Sequence, residues 1–416
     1  MSAFQFYVII AIQFILLSCN GQPGSNTTDG GKIIIQERLK QYLILHDSLN
    51  QQLVFTENAL VLSTTTSKLD IIDTLLYQKV KSQTLNKIIT GFNPTDKLPL
   101  NGLRIAIDPG HSAETINQGI LEGKYIKMKL ADADSAIFFE AHLALATALQ
   151  LKDSLENAGA IVFLTKTSDK PHCLNLSFRE WFDQGHIMNN LNYAYQEQWI
   201  TEEVASKITD YLESPTSWSE RYIYGRLYNQ LELRCRCETI NQFKPHFTLF
   251  IHYNVDAENS PWVKPTSKNF NMAFVPGAFG LNELQRKEDV QSFKRMIEVN
   301  TIQFSIELSK EILDALTKTT KVPVVQKEDE PDYIKENTLP TGISGLYCRN
   351  LAMNRLVQGI SCYGETLYQD NEYEVRLLND KSLQFDSFSS SKRTTEVANG
   401  YYQGILNFSK NISIHK

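Results

Sequence analysis

Short apolar runs that end in polar residues alternate with helical stretches from residue 103 onward, and this alternation is the strongest constraint on the fold. The runs have the length and flanking residues of buried strands and cover residues 103–107, 160–164, 247–251 and 359–364. Strands that alternate with helices predict an α/β domain, with a twisted, mainly parallel sheet flanked by helices. In such sheets ligands bind beyond the carboxyl ends of the strands. We therefore look for function in the residues that follow these runs.

Helices between the strands are predicted from leucine spacing and from the residues that end helices. Residues 141–158 carry leucines at helical intervals, and Gly159 follows as a typical helix terminator. Similar patterns predict helices in residues 174–241, which are rich in aromatic side chains, and in residues 299–316 and 391–406.

The region that precedes the sheet, residues 32–95, is predicted to be helical. Leu and Ile recur there at helix-like intervals, and Gly and Pro are absent from residue 32 until Gly91. Turn-like residues at 93–96 then separate this region from the α/β domain. Two roles remain open: a helical hairpin that spaces the enzyme from a membrane, or one that packs on the α/β domain.

The first nineteen residues resemble the signal peptide of a bacterial lipoprotein. Residues 4–17 are almost entirely apolar, but this run is too short for a confident membrane-spanning helix. It ends in Leu-Leu-Ser followed by Cys19, which would be lipidated, and the polar residues 20–31 would form a flexible tether. The expected location is the bacterial cell envelope, in the outer membrane and facing the periplasm. Because no Lys or Arg precedes the apolar run, an uncleaved hydrophobic N-terminus or a plain secretory signal stays open.

Charge and cysteine content narrow the classes of function. A net charge of −6 gives no general attraction to nucleic acid, so no nucleic-acid partner is expected, although a local basic groove stays compatible. Five cysteines follow Cys19, and an odd number in an exported protein leaves at least one unpaired thiol. Cys235 and Cys237 lack the second pair that a zinc-binding cysteine cluster needs. We expect buried small residues or one disulfide.

Candidate metal ligands stand where the predicted strands end. His252 and Glu365 directly follow apolar runs, and His111 follows residues 103–107 after an Asp-Pro-Gly turn. Imidazole nitrogens and carboxylate oxygens are zinc ligands, and two histidines with one glutamate leave a fourth position open for water. Position alone does not say whether Glu365 is a ligand or a base.

Segments from residue 103 to about residue 408 resemble the zinc-dependent N-acetylmuramoyl-L-alanine amidases, which separate daughter cells or remodel peptidoglycan. The first segment, Ile-Ala-Ile-Asp-Pro-Gly-His, resembles the opening strand and first zinc histidine of that family. The matching segments occur in the order of the family: residues 105–111, 139–146, 164–169, 236–241, 249–254, 349–351, 363–366 and 396–405. The segments that contain the two histidines carry most of the resemblance.

The resemblance implies a catalytic domain over residues 100–412 that binds one zinc ion through His111, Glu140 and His252. It implies that Glu365 is the catalytic base, which takes a proton from the attacking water. The implied substrate is the amide bond between N-acetylmuramic acid and L-alanine in peptidoglycan. His142 is not expected to be a ligand, because residues two apart on a helix point in different directions. A protein regulator would suit an enzyme whose unrestrained activity is lethal.

Several features depart from the family pattern. Ser112 and Ala113 replace the usual glycines after the first histidine, and residues 121–136 look like an inserted loop. A larger helical insertion covers residues 182–233, and its aromatic side chains could line a groove for glycan strands or form a cap that restricts access to the metal. Lys166 stands where the family usually has Arg.

The sequence leaves two questions open near the predicted metal site. One is which residues fix the tautomers of the histidines, and the other is which arginine matches the arginine of the family. Asp108 and Asn254 are candidates to fix the tautomers of the histidines. Arg179 and Arg236 both fit the position of the family's arginine.

Two other functions remain open for this scaffold. The first is a zinc hydrolase that acts on another peptide or acylated amine. The second is a non-catalytic wall-binding lipoprotein, which Glu365 disfavours because a binding protein has no need of a base.

Overall fold

The computed structural model describes residues 27–63, 71–80, 84–130, 134–214, 216–284, 286–385 and 388–414. The predicted signal peptide and residues 20–26 of the predicted tether lie outside these residues. The prediction of a tether up to residue 31 is wrong for its last residues, because α1 (Thr27–Arg38) already begins at Thr27. Ile35 on this helix is fully buried, so the helix is anchored on the protein core.

The strands of the described residues lie in one large sheet and three small ones. They are β1 (Leu53–Phe55), β2 (Ala59–Ser63), β3 (Ile71–Leu76), β4 (Arg104–Pro109), β5 (Tyr125–Lys129), β6 (Ser135–Phe139), β7 (Ile161–Leu164), β8 (Phe247–Asn254), β9 (Met272–Val275), β10 (Thr338–Pro340), β11 (Leu346–Arg349), β12 (Ile360–Tyr368), β13 (Leu383–Gln384) and β14 (Ser389–Ser390).

The helices surround the large sheet and form the insertion. After α1 they are α2 (Leu85–Ile88), α3 (Ile116–Glu122), α4 (Glu140–Asn157), α5 (Phe178–Asp183), α6 (Ile187–Gln196), α7 (Glu202–Glu213), α8 (Ser217–Ile223), α9 (Asn229–Phe243), α10 (Lys287–Glu298), α11 (Ile302–Thr320), α12 (Asp332–Asn337), α13 (Ala352–Leu356), α14 (Glu374–Asn379) and α15 (Lys392–Ile414). Two short segments are π-helical, Leu39–Leu43 and Tyr224–Tyr228.

The large sheet has seven strands in the order β10-β11-β9-β12-β8-β4-β7. Strands β7, β4, β8 and β12 are mutually parallel, β12 meets β9 in the opposite direction, and β10 is antiparallel to β11. All eight residues of β8 are buried, as expected for a central strand that is covered on both faces. The α/β fold class with a mainly parallel sheet is therefore confirmed.

The backbone pairing of β4 with β8 ends earlier along β8 than the pairing of β8 with β12. The ladder between β4 and β8 ends with Pro109 opposite Ile251, while β8 continues to pair with β12 through Asn254. The sequence placed His252 and Glu365 just beyond their strands, but both lie inside them, because β12 supplies backbone partners past the end of the apolar runs.

The prediction of a wholly helical region over residues 32–95 is wrong. Strands β1, β2 and β3 form an antiparallel sheet there, and helix remains in α1, the π-helical turn and the four-residue α2. The leucines satisfy a helical period, but Val54, Val61, Ile71 and Ile72 favour strands, and tertiary packing decides between the two. The region packs on the α/β domain: the backbone N–H of Phe279 donates to the carbonyl of Leu43.

The helical insertion has a hydrophobic core of its own. Trp181, Tyr224 and Tyr228 are buried in it, whereas Trp218 is 70% exposed. A disulfide between Cys173 and Cys235 joins the segment before the insertion to α9, as one of the two expectations for the cysteines anticipated. Residues 121–136 contain β5 and the first residues of β6, which pair antiparallel, although we expected an inserted loop. Among the described residues, no helix combines the length and the hydrophobicity that crossing a membrane requires.

Candidate metal centre

His111 occupies the sharp turn after β4. Its φ is 61°, a left-handed backbone conformation that side chains other than glycine adopt rarely and that often marks functional sites. Its Nε2 is buried and lies 3.1 Å from Oε1 of Glu140. The turn therefore holds this imidazole nitrogen against a buried carboxylate.

Glu140 is the first residue of α4 and is fully buried. Its Oε1 accepts the backbone N–H of Tyr253, and its Oε2 accepts Nε2–H of Gln369, both at 3.2 Å. Burial alone would raise the pKa of this carboxyl, but the charges of His111 and Lys124 hold the pKa well below its usual range. Glu140 is therefore a carboxylate, and the positive end of the helix dipole supports that charge.

His252 completes the cluster from the central strand. Its Nδ1 lies 3.0 Å from Oε1 of Glu140, and its ring stacks on Tyr363 with the centroids 4.5 Å apart. Burial lowers the pKa of His252 to about 4, so the imidazole is neutral at physiological pH and can act as a metal ligand. A Cβ at Gly110 would lie 2.3 Å from Cε1 of His252, so only glycine allows the ring this position.

The three side chains fit a zinc ion. One ligand atom from each of His111, Glu140 and His252 lies within 4.8 Å of the others. Ligands bound to zinc at its usual bond lengths in a tetrahedron lie about 3.3 Å apart, close to the 3.0 and 3.1 Å that separate Glu140 from the two imidazoles. The structure thus brings together the predicted ligands from three separate segments of the chain.

Glu365 lies directly opposite His252 on the neighbouring strand, and the two side chains share one face of the sheet. Burial and the negative charge of Glu140 raise the pKa of Glu365 to about 8, while Lys124 and Arg349 act in the opposite direction. A carboxyl with such a pKa can accept and return a proton near neutral pH.

A buried ion pair supports the turn that carries His111. Both carboxylate oxygens of Asp108 accept hydrogen bonds from Nη1 of Arg236, at 2.9 and 3.1 Å, and Thr165 donates a third. Arg236 therefore occupies the buried arginine position, while Arg179 is half exposed and pairs with Glu220.

Asp108 and Asn254, whose orientation the sequence left open, contact other groups than the two histidines. Asp108 pairs with Arg236, and Oδ1 of Asn254 accepts the backbone N–H of Val255. His142 is confirmed to lie apart from the cluster, because its Nε2 contacts the carbonyl of Ser389 at 2.6 Å.

Three further side chains reach the cluster that the sequence analysis did not single out. Glu122 lies 3.6 Å from Nδ1 of His111, Lys124 lies 3.8 Å from Oε2 of Glu140, and Gln369 donates to the same oxygen. Glu122 and Lys124 come from the segment of α3 and β5, where no sequence pattern indicates which side chains turn inward.

Comparisons with known proteins give distant matches. No protein-family model and no curated protein matches the chain. The CwlD amidase from Clostridioides difficile, solved in complex with the GerS lipoprotein, is 18% identical with a TM-score of 0.39, over 75% of this chain and 99% of its own. The N-acetylmuramyl-L-alanine amidase from Mycobacterium smegmatis is 14% identical with a TM-score of 0.39, over 75% and 98% of the two chains. At such identities and TM-scores, the function has to be argued from the site of this chain.

Proposed function

We propose that the protein is a zinc-dependent hydrolase that cleaves the amide bond between N-acetylmuramic acid and L-alanine in peptidoglycan. The observation that carries the proposal is the convergence of His111, Glu140 and His252 from three segments, with Glu365 opposite His252 on the next strand. Two imidazoles, one carboxylate and a separate carboxyl of raised pKa form the set that a zinc hydrolase requires.

The chemistry divides between the metal and Glu365. When bound, zinc lowers the pKa of a coordinated water and polarises the carbonyl of the amide. Glu365 takes a proton from the attacking water as the oxygen forms a bond to the carbonyl carbon. Glu365 then gives that proton to the amine nitrogen as the carbon–nitrogen bond breaks, so the base returns to its starting state. A nearby dication lowers the pKa of Glu365 and increases the share of carboxylate before each turnover.

The substrate class rests on the sequence segments that resemble the amidase family, above all residues 105–111 and 249–254. These segments contain both histidines of the cluster, His111 and His252. The substrate proposal does not rest on the aromatic residues of the helical insertion. Trp181, Tyr224 and Tyr228 are buried in its own core, whereas Trp218 is exposed.

A digest of purified peptidoglycan, analysed by mass spectrometry, tests the substrate. Zinc-loaded protein should release stem peptides that begin with L-alanine and leave lactyl-bearing sugars. The absence of such peptides would refute the proposed substrate while leaving the metal centre intact.

The Glu365→Gln variant tests the base. It should keep one bound zinc and lose about 100-fold to 10,000-fold in rate, because it cannot accept the proton. The matched control is Glu372→Gln, which changes an exposed glutamate a few residues beyond the same strand. Full activity in Glu365→Gln would contradict the assignment of the base.

A lipid anchor at Cys19 and a location in the bacterial cell envelope complete the proposal. The supporting observation is the apolar run of residues 4–17 with Ser18 before Cys19. In a bacterial host, the protein should fractionate with membranes, and Cys19→Ala should abolish that fractionation. Equal membrane association of the two proteins would contradict the anchor.

A further inference from the structure

Helix α3 directs an acidic side chain toward the back of the metal centre. The helix starts with a capping box between Thr115 and Gln118 and stops at Gly123, whose φ of 72° lets the chain leave the helix sharply. Its last residue, Glu122, is turned inward, and its side chain is only 3% exposed. A buried carboxylate is costly unless it meets donors or positive charge, so its surroundings show what it does.

The two oxygens of Glu122 face different partners. Oε1 accepts the backbone N–H of Ser112 at 2.9 Å and the hydroxyl hydrogen of Tyr224. Oε2 is buried, makes no hydrogen bond to any described residue, and lies 3.6 Å from Nδ1 of His111. One oxygen is therefore fixed by two donors, which aims the other at the candidate ligand.

Tyr224 belongs to the helical insertion. It opens the π-helical segment Tyr224–Tyr228 between α8 and α9, and such segments are uncommon and often occur at functional sites. Burial and the charge of Glu122 raise the pKa of Tyr224 well above its usual range, so its hydroxyl stays protonated and acts as the donor. The insertion thus reaches the metal centre through one hydrogen bond and one carboxylate.

We infer that Glu122 is a positioning residue for His111 and that Tyr224 couples the helical insertion to the metal centre. The inference rests on the proposed function in one respect, that His111 is a zinc ligand. A carboxylate beside Nδ1 favours the tautomer with hydrogen on Nδ1, because that hydrogen carries positive partial charge. Nε2 then presents its lone pair to Glu140 and His252, where the ion would lie. Partners of this kind also increase the basicity of the ligand.

This arrangement gives the insertion a role different from the groove and the cap considered from sequence. The insertion helps to position a candidate metal ligand through Glu122. Removal of the insertion would leave Glu122 without the hydrogen bond from Tyr224. Tyr224 of the insertion donates a hydrogen bond to Glu122, and Glu122 in turn contacts His111.

The test measures zinc affinity in the full chain by competition with a chromophoric chelator. Glu122→Gln keeps the size of the side chain and an acceptor for Ser112 but removes the charge. Loss of a partner behind a metal-bound histidine typically costs about 10-fold to 100-fold in affinity, which is the expected change. Tyr224→Phe should weaken zinc binding by about 3-fold to 10-fold, because the carboxylate remains but loses a donor.

Tyr228→Phe is the matched control. Tyr228 lies in the same π-helical segment, is fully buried, and donates its hydroxyl hydrogen to the carbonyl of Leu176. The Tyr228→Phe variant should lose about as much stability as Tyr224→Phe and keep the zinc affinity of the wild type. Equal zinc affinities of the Tyr224→Phe and Tyr228→Phe variants would refute the coupling to the insertion, even if Glu122→Gln failed to fold.

The outcomes separate this inference from the proposed function. Wild-type protein that binds no zinc would refute the metal centre itself. Wild-type protein that binds one zinc, beside a Glu122→Gln variant of the same affinity, would refute only the role of Glu122. If zinc affinity falls in Glu122→Gln and in Tyr224→Phe but not in Tyr228→Phe, the result supports the role of Glu122 and the coupling through Tyr224.

Discussion

The ammonium group of Lys166 is buried beyond the carboxyl end of β7, where the side chain is 4% exposed. Burial and the charge of Arg236 lower the pKa of Lys166 to about 8 from an ordinary value of 10.5, although Asp108 and Glu232 act in the opposite direction. The folded protein therefore binds this proton more weakly than the unfolded chain does.

This difference makes the contribution of Lys166 to stability depend on pH in a definite direction. Below pH 8 both states carry the proton, and the folded state bears the full cost of the buried charge. Between pH 8 and 10.5 the folded state releases the proton while the unfolded chain keeps it, so the free energy of unfolding rises with pH. The destabilisation by Lys166 is thus complete at neutral pH and is relieved as pH rises.

The Lys166→Met variant removes the charge and keeps the shape of the side chain. The pKa difference of 10.5 minus 8 corresponds to about 3 kcal/mol, which is the expected gain in unfolding free energy at pH 7. At pH 10 the gain should fall to about 1 kcal/mol or less. Urea denaturation of both proteins at pH 7, 8, 9 and 10 measures the difference, and other groups that titrate in this range affect both proteins alike.

Lys127→Met is the matched control, because it removes an exposed ammonium group from strand β5. Its difference from the wild type should stay small across the same pH range. The titration of Lys166 in this window would be refuted if the difference in unfolding free energy between Lys166→Met and the wild type did not change from pH 7 to pH 10. A variant less stable than the wild type at pH 7 would show that the attraction to Asp108 and Glu232 outweighs burial.

Three further changes follow from the same part of the molecule. Asp108→Asn leaves a buried guanidinium without its anion and should lower the unfolding free energy by about 3 kcal/mol in urea denaturation; an unchanged midpoint would contradict the importance of the pair. Gly110→Ala places a Cβ 2.3 Å from the ring of His252 and should reduce bound zinc, measured as metal content, whereas full loading would contradict the close packing. Replacing both Cys173 and Cys235 by Ala opens a loop with a sequence separation of 62, which should cost about 4 kcal/mol in the chain-entropy estimate, and calorimetry of the oxidised and double-variant proteins would show the loss or its absence.

The large sheet and helix α4 were predictable from the sequence because their signals are local. A buried parallel strand is a short apolar run, and β4, β8 and β12 appear as such runs. Helix α4 carries leucines at helical spacing and is followed by Gly159, which has a φ of 96°. Local patterns of this kind need no knowledge of the partner surface.

The N-terminal region shows where such patterns fail. Leucines in residues 32–95 fit both a helix and a set of strands, and the choice depends on neighbours far away in sequence. Leu60 and Leu62 are buried in the main core, while Lys294 of α10 forms an ion pair with Asp73 on β3 at 2.8 Å. These long-range contacts select the sheet, and no local period encodes them.

The sequence by itself determined the α/β class and singled out His111, His252 and Glu365 by their positions at strand ends, because strand ends are properties of neighbouring residues. Glu140 was named only through the resemblance to the amidase family. Only the tertiary structure decided that Glu140 lies 3.1 Å from His111 and 3.0 Å from His252, because the three residues belong to separate segments of the chain. It also decided the partner of His111. The contact of Glu122 with Tyr224 spans 102 residues, and a contact across such a separation is fixed by the packing of the insertion on α3 and not by any pattern along the chain.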